Sequence, residues 1–121
     1  MLRCSRKTAR AVWSISKLLN SYGMTVLDPA SVGLKDEDWR EVVKRNIDWL
    51  VRSDVVVAVC TEPSTGMGGE LVTAKNMGKP VLVFDGGATS VWARWCARMV
   101  TRDMNTLVLA VAYKTWDTPL A

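Results

Sequence analysis

The chain has 121 residues, 49% of them hydrophobic and 23% charged, with a formal net charge of +4. That describes one domain, residues 1–121, large enough to bury a core and ordinary for a soluble globular protein, with no apolar run of membrane-spanning length. Histidine is absent, which excludes every Ser-His, Cys-His and His-metal mechanism and leaves carboxylates, hydroxyls, amides, lysines and thiols to do any chemistry.

The modest positive charge favours anionic ligands and does not by itself indicate nucleic-acid binding. The opening Met1-Leu-Arg-Cys-Ser-Arg-Lys is basic but has no apolar segment behind it, so no secretory signal is expected. Cys4, Cys60 and Cys96 are an odd number without metal-type spacing. Reduced thiols in a cytoplasmic protein, with no metal and no cofactor, are the simplest expectation.

In chain order, apolar residues at Val12, Ile15, Leu18, Leu19 and Tyr22 predict a helix over 5–22, closed by Gly23. Met24 to Leu27 reads as a short strand ended by Asp28-Pro29. Asp36 or Asp38 is placed to cap a helix running to about Val51, with Trp39, Val42, Val43, Ile47 and Leu50 as its inward stripe and Asn46 on that same stripe. Val55 to Cys60 is an uninterrupted β-branched run, the pattern of a parallel strand buried on both faces. A turn over Thr61 to Gly69 follows, then a helix from Glu70 to Met77, stopped by Gly78 and Pro80. Pro80 to Phe84 is a second buried strand, 85–88 a glycine turn, Val91 to Met99 a helix capped by Thr89 or Ser90, and Asn105 to Tyr113 a last strand. Helices alternating with strands make an α/β layered sheet with a mainly parallel arrangement. Such sheets usually open with a strand, for which only Met1 to Cys4 is available, so the first strand is short or truncated.

The chemistry concentrates between Asp54 and Glu70. A strand, a glycine-rich turn and a helix start form a ligand site at the carboxyl end of a sheet strand. The amides of Gly66 to Gly69, with Ser64, make an anion cradle, because glycine lets the backbone approach a ligand and unpaired helix N–H groups attract negative charge. Glu70 sits where those donors end, in what reads as a helix first turn, where its charge is stabilised. The bland rival is that Glu70 only complements the helix dipole, that Ser64 is a turn residue, and that Asn46 is a buried amide bonded to backbone. Arg94, Arg98 and Arg102, four apart, read either as a solvated helix edge or as a phosphate or subunit contact.

Three segments carry a resemblance: Trp49-Leu-Val-Arg-Ser-Asp-Val-Val-Val-Ala, Pro63-Ser-Thr-Gly-Met-Gly-Gly-Glu-Leu and Gly78-Lys-Pro-Val-Leu-Val-Phe. They resemble the nucleoside 2-deoxyribosyltransferase family, and within it the 2'-deoxynucleoside 5'-phosphate N-hydrolases. The resemblance implies a flavodoxin-like or Rossmann-like three-layer sandwich with about five strands, a homodimer whose neighbouring subunit helps close the site, and cleavage of the N-glycosidic bond of a nucleotide or nucleoside. It implies that Glu70 is the nucleophile and that Ser64 and Gly66, with Gly68 and Gly69 beside them, hold the 5'-phosphate. Ser5 and Arg6 are the candidates for an early phosphate loop. Asn46 stands where the family has a catalytic aspartate, and Val59 where the hydrolases often have a glutamate. The serine that the neighbouring subunit lends to the phosphate is replaced by Ala93 or Arg94.

The aspartate's replacement sets the functional alternatives. Cleaving an N-glycoside needs a carboxylate at the anomeric carbon and proton or hydrogen-bond help for the leaving base. An amide keeps the hydrogen bonds and loses the acid, so the residues predict slow turnover with retained affinity, a gain on Asn46→Asp, and Glu62 or Asp85 as substitute acids. The alternatives are an N-glycosidase, a nucleotide-binding module with weakened catalysis, and, less well matched at Pro63-Ser-Thr-Gly-Met-Gly, a phosphoribohydrolase of the cytokinin-activating kind. The expected partner is a small nucleotide or nucleoside, not a nucleic acid or a membrane.

Overall fold

The computed structural model describes residues 6–28, 38–63 and 65–116. Their order is α1 (Arg6–Ser21), α2 (Trp39–Arg52), β1 (Val56–Cys60), α3 (Thr65–Asn76), β2 (Val81–Asp85), α4 (Val91–Cys96), β3 (Met99–Thr101) and α5 (Met104–Tyr113). The three strands form a parallel sheet in the order β1-β2-β3, with Val56 opposite Val81 and Leu82 opposite Met99. Among the described residues the sheet is three strands wide, not about five. The expected opening strand, Met1 to Cys4, lies outside the described residues.

Helices cover both faces. Val59, Leu82 and Phe84 point toward α1 and α5, where Ile15, Leu19, Leu107 and Val108 are buried with them. Ala58, Cys60, Val81 and Val83 point the other way, onto Leu71 and Ala74 of α3 and Ala93 and Cys96 of α4, with Leu50 of α2 at the margin. Successive strand residues face opposite layers, so the unbroken apolar runs of β1 and β2 fill two cores at once. Among the described residues no helix is long and apolar enough to cross a membrane.

Several expected elements are corrected. Met24 to Leu27 is not a strand. Its burial alternates as a strand's would, with Met24 and Val26 packed on the α1–α5 core, but no described strand runs alongside to take ladder hydrogen bonds. The chain enters it through Gly23 at φ +80°, which lets the Met24 N–H return to the Leu19 carbonyl and end α1. The helix over Val91 to Met99 stops at Cys96, Ala97 turns extended, and Met99 to Thr101 joins β2 as a strand. Asn105 to Tyr113 is helix, not strand. Asp103 caps it by accepting from the Asn105 N–H at 2.9 Å, and Leu107, Val108, Ala110 and Val111 are buried with helical spacing while Leu109 and Tyr113 are exposed. A short all-apolar run carries no periodicity that separates the two structures, and covering the sheet face decides it.

α2 is capped by Asp38, as expected, but its stripe is turned. Trp39, Val43 and Ile47 are exposed, and α2 has no fully buried residue. Its inward side is Val42, Arg45, Asn46, Trp49 and Leu50, all partly buried.

Candidate active site

β1 ends at Cys60, and the chain turns over its carboxyl end into α3. That corner is tightly built. The hydroxyls of Thr8 on α1 and Thr61 are hydrogen-bonded. The Gly86 and Ala88 amides both donate to the Cys60 carbonyl, at 3.0 and 3.1 Å. A β-carbon on Gly86 would fall 2.4 Å from the Thr61 side chain and 3.2 Å from its α-carbon, so only glycine fits there.

The helix after this corner begins five residues earlier than its sequence suggests, at Thr65 rather than Glu70. Gly66, Gly68 and Gly69 are therefore helical residues, not a loop. The helix-opening amides that lack intrahelical partners belong to the residues up to Met67, whereas Gly68 and Gly69 are far enough in to bond within the helix. Gly68 and Gly69 have nothing within 4 Å of where a β-carbon would project. Packing within the chain does not demand glycine there, although each glycine costs helix stability, about 1 kcal/mol relative to alanine.

Glu70 consequently sits in the second turn of α3, facing α2. The Asn46 Nδ2 donates to Glu70 Oε1 at 2.9 Å. The Asn46 Oδ1 accepts from Arg45 Nη2 at 3.0 Å and Nε at 3.3 Å. This fixes the amide's orientation, because a guanidinium has only donors and must meet the oxygen, leaving the nitrogen for Glu70. Arg45 in turn lies over the Trp49 ring at 4.8 Å. Burial pushes the Glu70 carboxyl up from its ordinary value, and the Asn46 hydrogen bond and the Arg45 charge hold it down only in part. The charge stabilisation expected of a first-turn glutamate is thus replaced by a raised affinity for a proton.

Asp85, at the carboxyl end of β2, has the opposite setting. Its carboxylate accepts from the Thr89 hydroxyl at 2.8 Å and the Gly87 amide at 3.0 Å, and faces Arg94 at 3.3 Å and Arg102 at 3.5 Å. The Thr89 and Gly87 hydrogen bonds, then the two arginines, hold its carboxyl below the usual aspartate value despite burial. A carboxylate so held is a poor proton donor, which disfavours Asp85 as the substitute acid. Arg94 and Arg102 converge on it from α4 and from beyond β3, so they do not share a helix edge. Glu62 remains in the β1–α3 loop, partly buried.

The remaining expected site residues divide. Ser5 and Ser64 lie outside the described residues. Arg6 opens α1, exposed, and with Lys7, Arg10, Thr61, Phe84 and Gly86 lines a hollow of about 510 Å³. Neither Glu70 nor Asn46 lines it. Sequence reasoning missed Arg45 and Trp49. Their spacing of four, with Arg45 next to Asn46, was the available signal. No group of three or more His, Cys, Asp or Glu that could hold a metal ion gathers among the described residues.

Comparison with known proteins bears on this corner. The family profile of nucleoside 2-deoxyribosyltransferase matches residues 3–108, and the chain belongs to that family. It is 32% identical over 89 residues to a 5-hydroxymethyl-dUMP N-hydrolase of Esox lucius, covering 67% of this chain and 61% of the relative. It is 33% identical over 87 residues to the protein of that name in Danio rerio, again 67% of this chain and 61% of the relative. A shorter stretch of 43 residues is 54% identical to the one from Tetraodon nigroviridis, 36% of this chain and 30% of the relative. The chain thus spans about three fifths of the length of the first two relatives. No solved structure matches it.

Proposed function

We propose that this member of the family cleaves the N-glycosidic bond of a 2'-deoxynucleoside 5'-monophosphate, with Glu70 as nucleophile. The observation that carries the reading is the 2.9 Å contact between Asn46 and Glu70, made across α2 and α3 beside the carboxyl end of β1. It puts the glutamate that matches the family nucleophile against the residue that matches the family aspartate. The relatives' name, 5-hydroxymethyl-dUMP N-hydrolase, supports a deoxynucleotide substrate.

In this mechanism the ionised Glu70 attacks the anomeric carbon as the bond to the base breaks, and water then cleaves the glycosyl ester. Asn46 orients the carboxylate and carries no proton to the base. The opening amides of α3, with Ser64, take the 5'-phosphate, and Gly68 and Gly69 leave room beside it. Arg6, with Ser5, is the second phosphate contact. The acceptor is water, so hydrolysis rather than base transfer is the reaction proposed. Two buried free thiols, Cys60 and Cys96, support a reducing, cytoplasmic setting. The exposed row Trp39, Val43, Ile47 and Val51 along α2 supports a homodimer that covers the helix carrying Asn46.

Asn46 also favours a second reading: a nucleotide-binding protein whose catalysis is weakened. One panel separates the two. Wild type is incubated with deoxynucleoside and ribonucleoside 5'-monophosphates and the free nucleosides, and released base is quantified by chromatography. Base release from a deoxynucleotide, lost in Glu70→Gln, is the expected result. Binding without base release across the panel selects the second reading.

A further inference from the structure

Arg45 is held by three contacts and has one nitrogen left without a partner. Its Nε and Nη2 both point at Asn46 Oδ1, at 3.3 and 3.0 Å, and its plane lies over Trp49 at 4.8 Å. Its Nη1 is shielded from water and has no hydrogen-bond partner among the described residues. It is the only side-chain nitrogen or oxygen among them in that condition. Buried donors are almost always paired, and leaving one unpaired is costly, so an orphan signals a missing acceptor. Through its other two nitrogens the same guanidinium is one hydrogen-bonded residue away from Glu70, and its charge is felt there.

The chemistry at that spot lacks one thing. When Glu70 displaces a base, the electron pair of the broken bond stays on the base. Asn46 cannot give it a proton, and Asp85, which with Glu62 is one of the two carboxylates that could stand in for the family's acid, is held ionised by Thr89, Gly87 and two arginines. A guanidinium does not give up its proton either, but it stabilises a developing anion through a charged hydrogen bond.

We infer that Arg45 is a catalytic residue that receives the departing nucleobase, its Nη1–H donating to the base's carbonyl oxygen as negative charge gathers there. The inference rests on the proposed N-glycosidase reading. In the step, the Glu70 oxygen bonds to the anomeric carbon and the bond to the base nitrogen breaks. The base leaves as an anion held by Arg45 and is protonated by water. Hydrolysis of the glycosyl ester by a second water releases the sugar phosphate, the Glu70 carboxylate and a proton. This electrophile replaces the family's acid, and it binds best those bases whose anions are stable.

The test uses pyrimidine deoxynucleoside 5'-monophosphates whose free bases differ in acidity, for example uracil against 5-halogenated uracils, with kcat/KM measured for wild type, Arg45→Gln and Arg45→Lys. Arg45→Gln is expected to lose about 10²-fold on the least acidic base, the scale of one removed anion-stabilising donor, and under about ten-fold on the most acidic. Arg45→Lys is expected to fall between, since it keeps the charge and loses the fork. The same loss across the series would overturn the inference, because Arg45 would then only be holding Asn46 in place. If wild type releases no base from any nucleotide, the N-glycosidase reading fails. Calorimetry with the free bases then judges the contact alone: weaker binding to Arg45→Gln upholds it, and unchanged binding overturns it. Thermal melting of each variant identifies any that has lost its fold, and Arg45→Lys then carries the comparison.

Discussion

Replacing Asn46 by aspartate restores the family residue, and from the sequence it should speed the reaction. The neighbours of that position in the fold argue for the opposite sign. The new carboxylate would stand 2.9 Å from Glu70, where two unit charges repel by about 6 kcal/mol at an effective dielectric near 20. Both residues are only partly buried, so water screens much of this, but two ionised carboxylates side by side remain disfavoured. The proton that relieves the repulsion goes to whichever carboxyl holds it more strongly. The new one would be forked by Arg45 at 3.0 and 3.3 Å, which keeps it ionised. Glu70 is already pushed up by burial. Glu70 therefore takes the proton and loses its nucleophilicity.

The expected outcome for Asn46→Asp is single-turnover base release slower than wild type, with the deficit shrinking as the pH rises and Glu70 gives up the proton. Adding Arg45→Gln removes the charge that holds the new carboxylate ionised. The pair can then share its proton and serve as nucleophile and acid, so the double variant should outrun Asn46→Asp alone. A single Asn46→Asp variant that is faster than wild type at neutral pH, with a bell-shaped profile, would refute the reasoning. The new carboxyl would then be carrying the proton in spite of Arg45.

Other outcomes follow from the same geometry. Wild-type base release should rise with pH through the raised Glu70 value, because the ionised form attacks, and rates measured across a pH series check it. Asp85 contributes stability that is present above the unfolded aspartate value and is lost as the pH falls through its depressed native value; denaturant midpoints should drop in acid for wild type and less steeply for Asp85→Asn. Gly86→Ala drives a β-carbon into Thr61 and should cost about 1–3 kcal/mol in denaturant unfolding. Gly69→Ala meets nothing in the chain and should stabilise by about 0.5–1 kcal/mol, yet weaken the binding of a 5'-monophosphate in calorimetry if the open side of α3 is where the phosphate lies.

What could be read from the residues was set by how much periodicity each stretch contained. Val55 to Cys60 and Val81 to Phe84 are β-branched runs between glycine and proline stops, and they are strands. Leu107 to Ala112 is equally apolar but offers no period, and only the bare sheet face beside it makes it a helix. The glycines before Glu70 read as a loop because glycine is the poorest helix former short of proline. In the fold they belong to the opening turns of α3, where a neighbouring α2 and a packed Met67 and Leu71 outweigh propensity. α2 erred in rotation rather than in existence. Its apolar positions exceed what one face can bury, and the side that turns inward carries Arg45, Asn46 and Trp49, none of which hydrophobicity alone selects. The pairing of Asn46 with Glu70, 24 residues apart, came from the family resemblance and not from spacing.

The two carboxylates at this end of the sheet point to their roles through opposite environments. Asp85 is held ionised by a hydroxyl, an amide and two arginines, and its neighbours leave it little to offer a substrate; it ties α4 and the turn after β3 to the end of β2. Among the described residues Glu70 has a single hydrogen-bond partner, Asn46, and burial opposes its charge. A group whose ionised form is poorly satisfied gains most when an electrophile arrives, since the bond it forms removes the charge that burial disfavours. That gain is available only if Glu70 starts ionised, which an amide at position 46 permits and a carboxylate held by Arg45 opposes. An amide at position 46 thus leaves the Glu70 carboxyl free to ionise, whereas a carboxylate there, forked by Arg45, would compete with it for the charge.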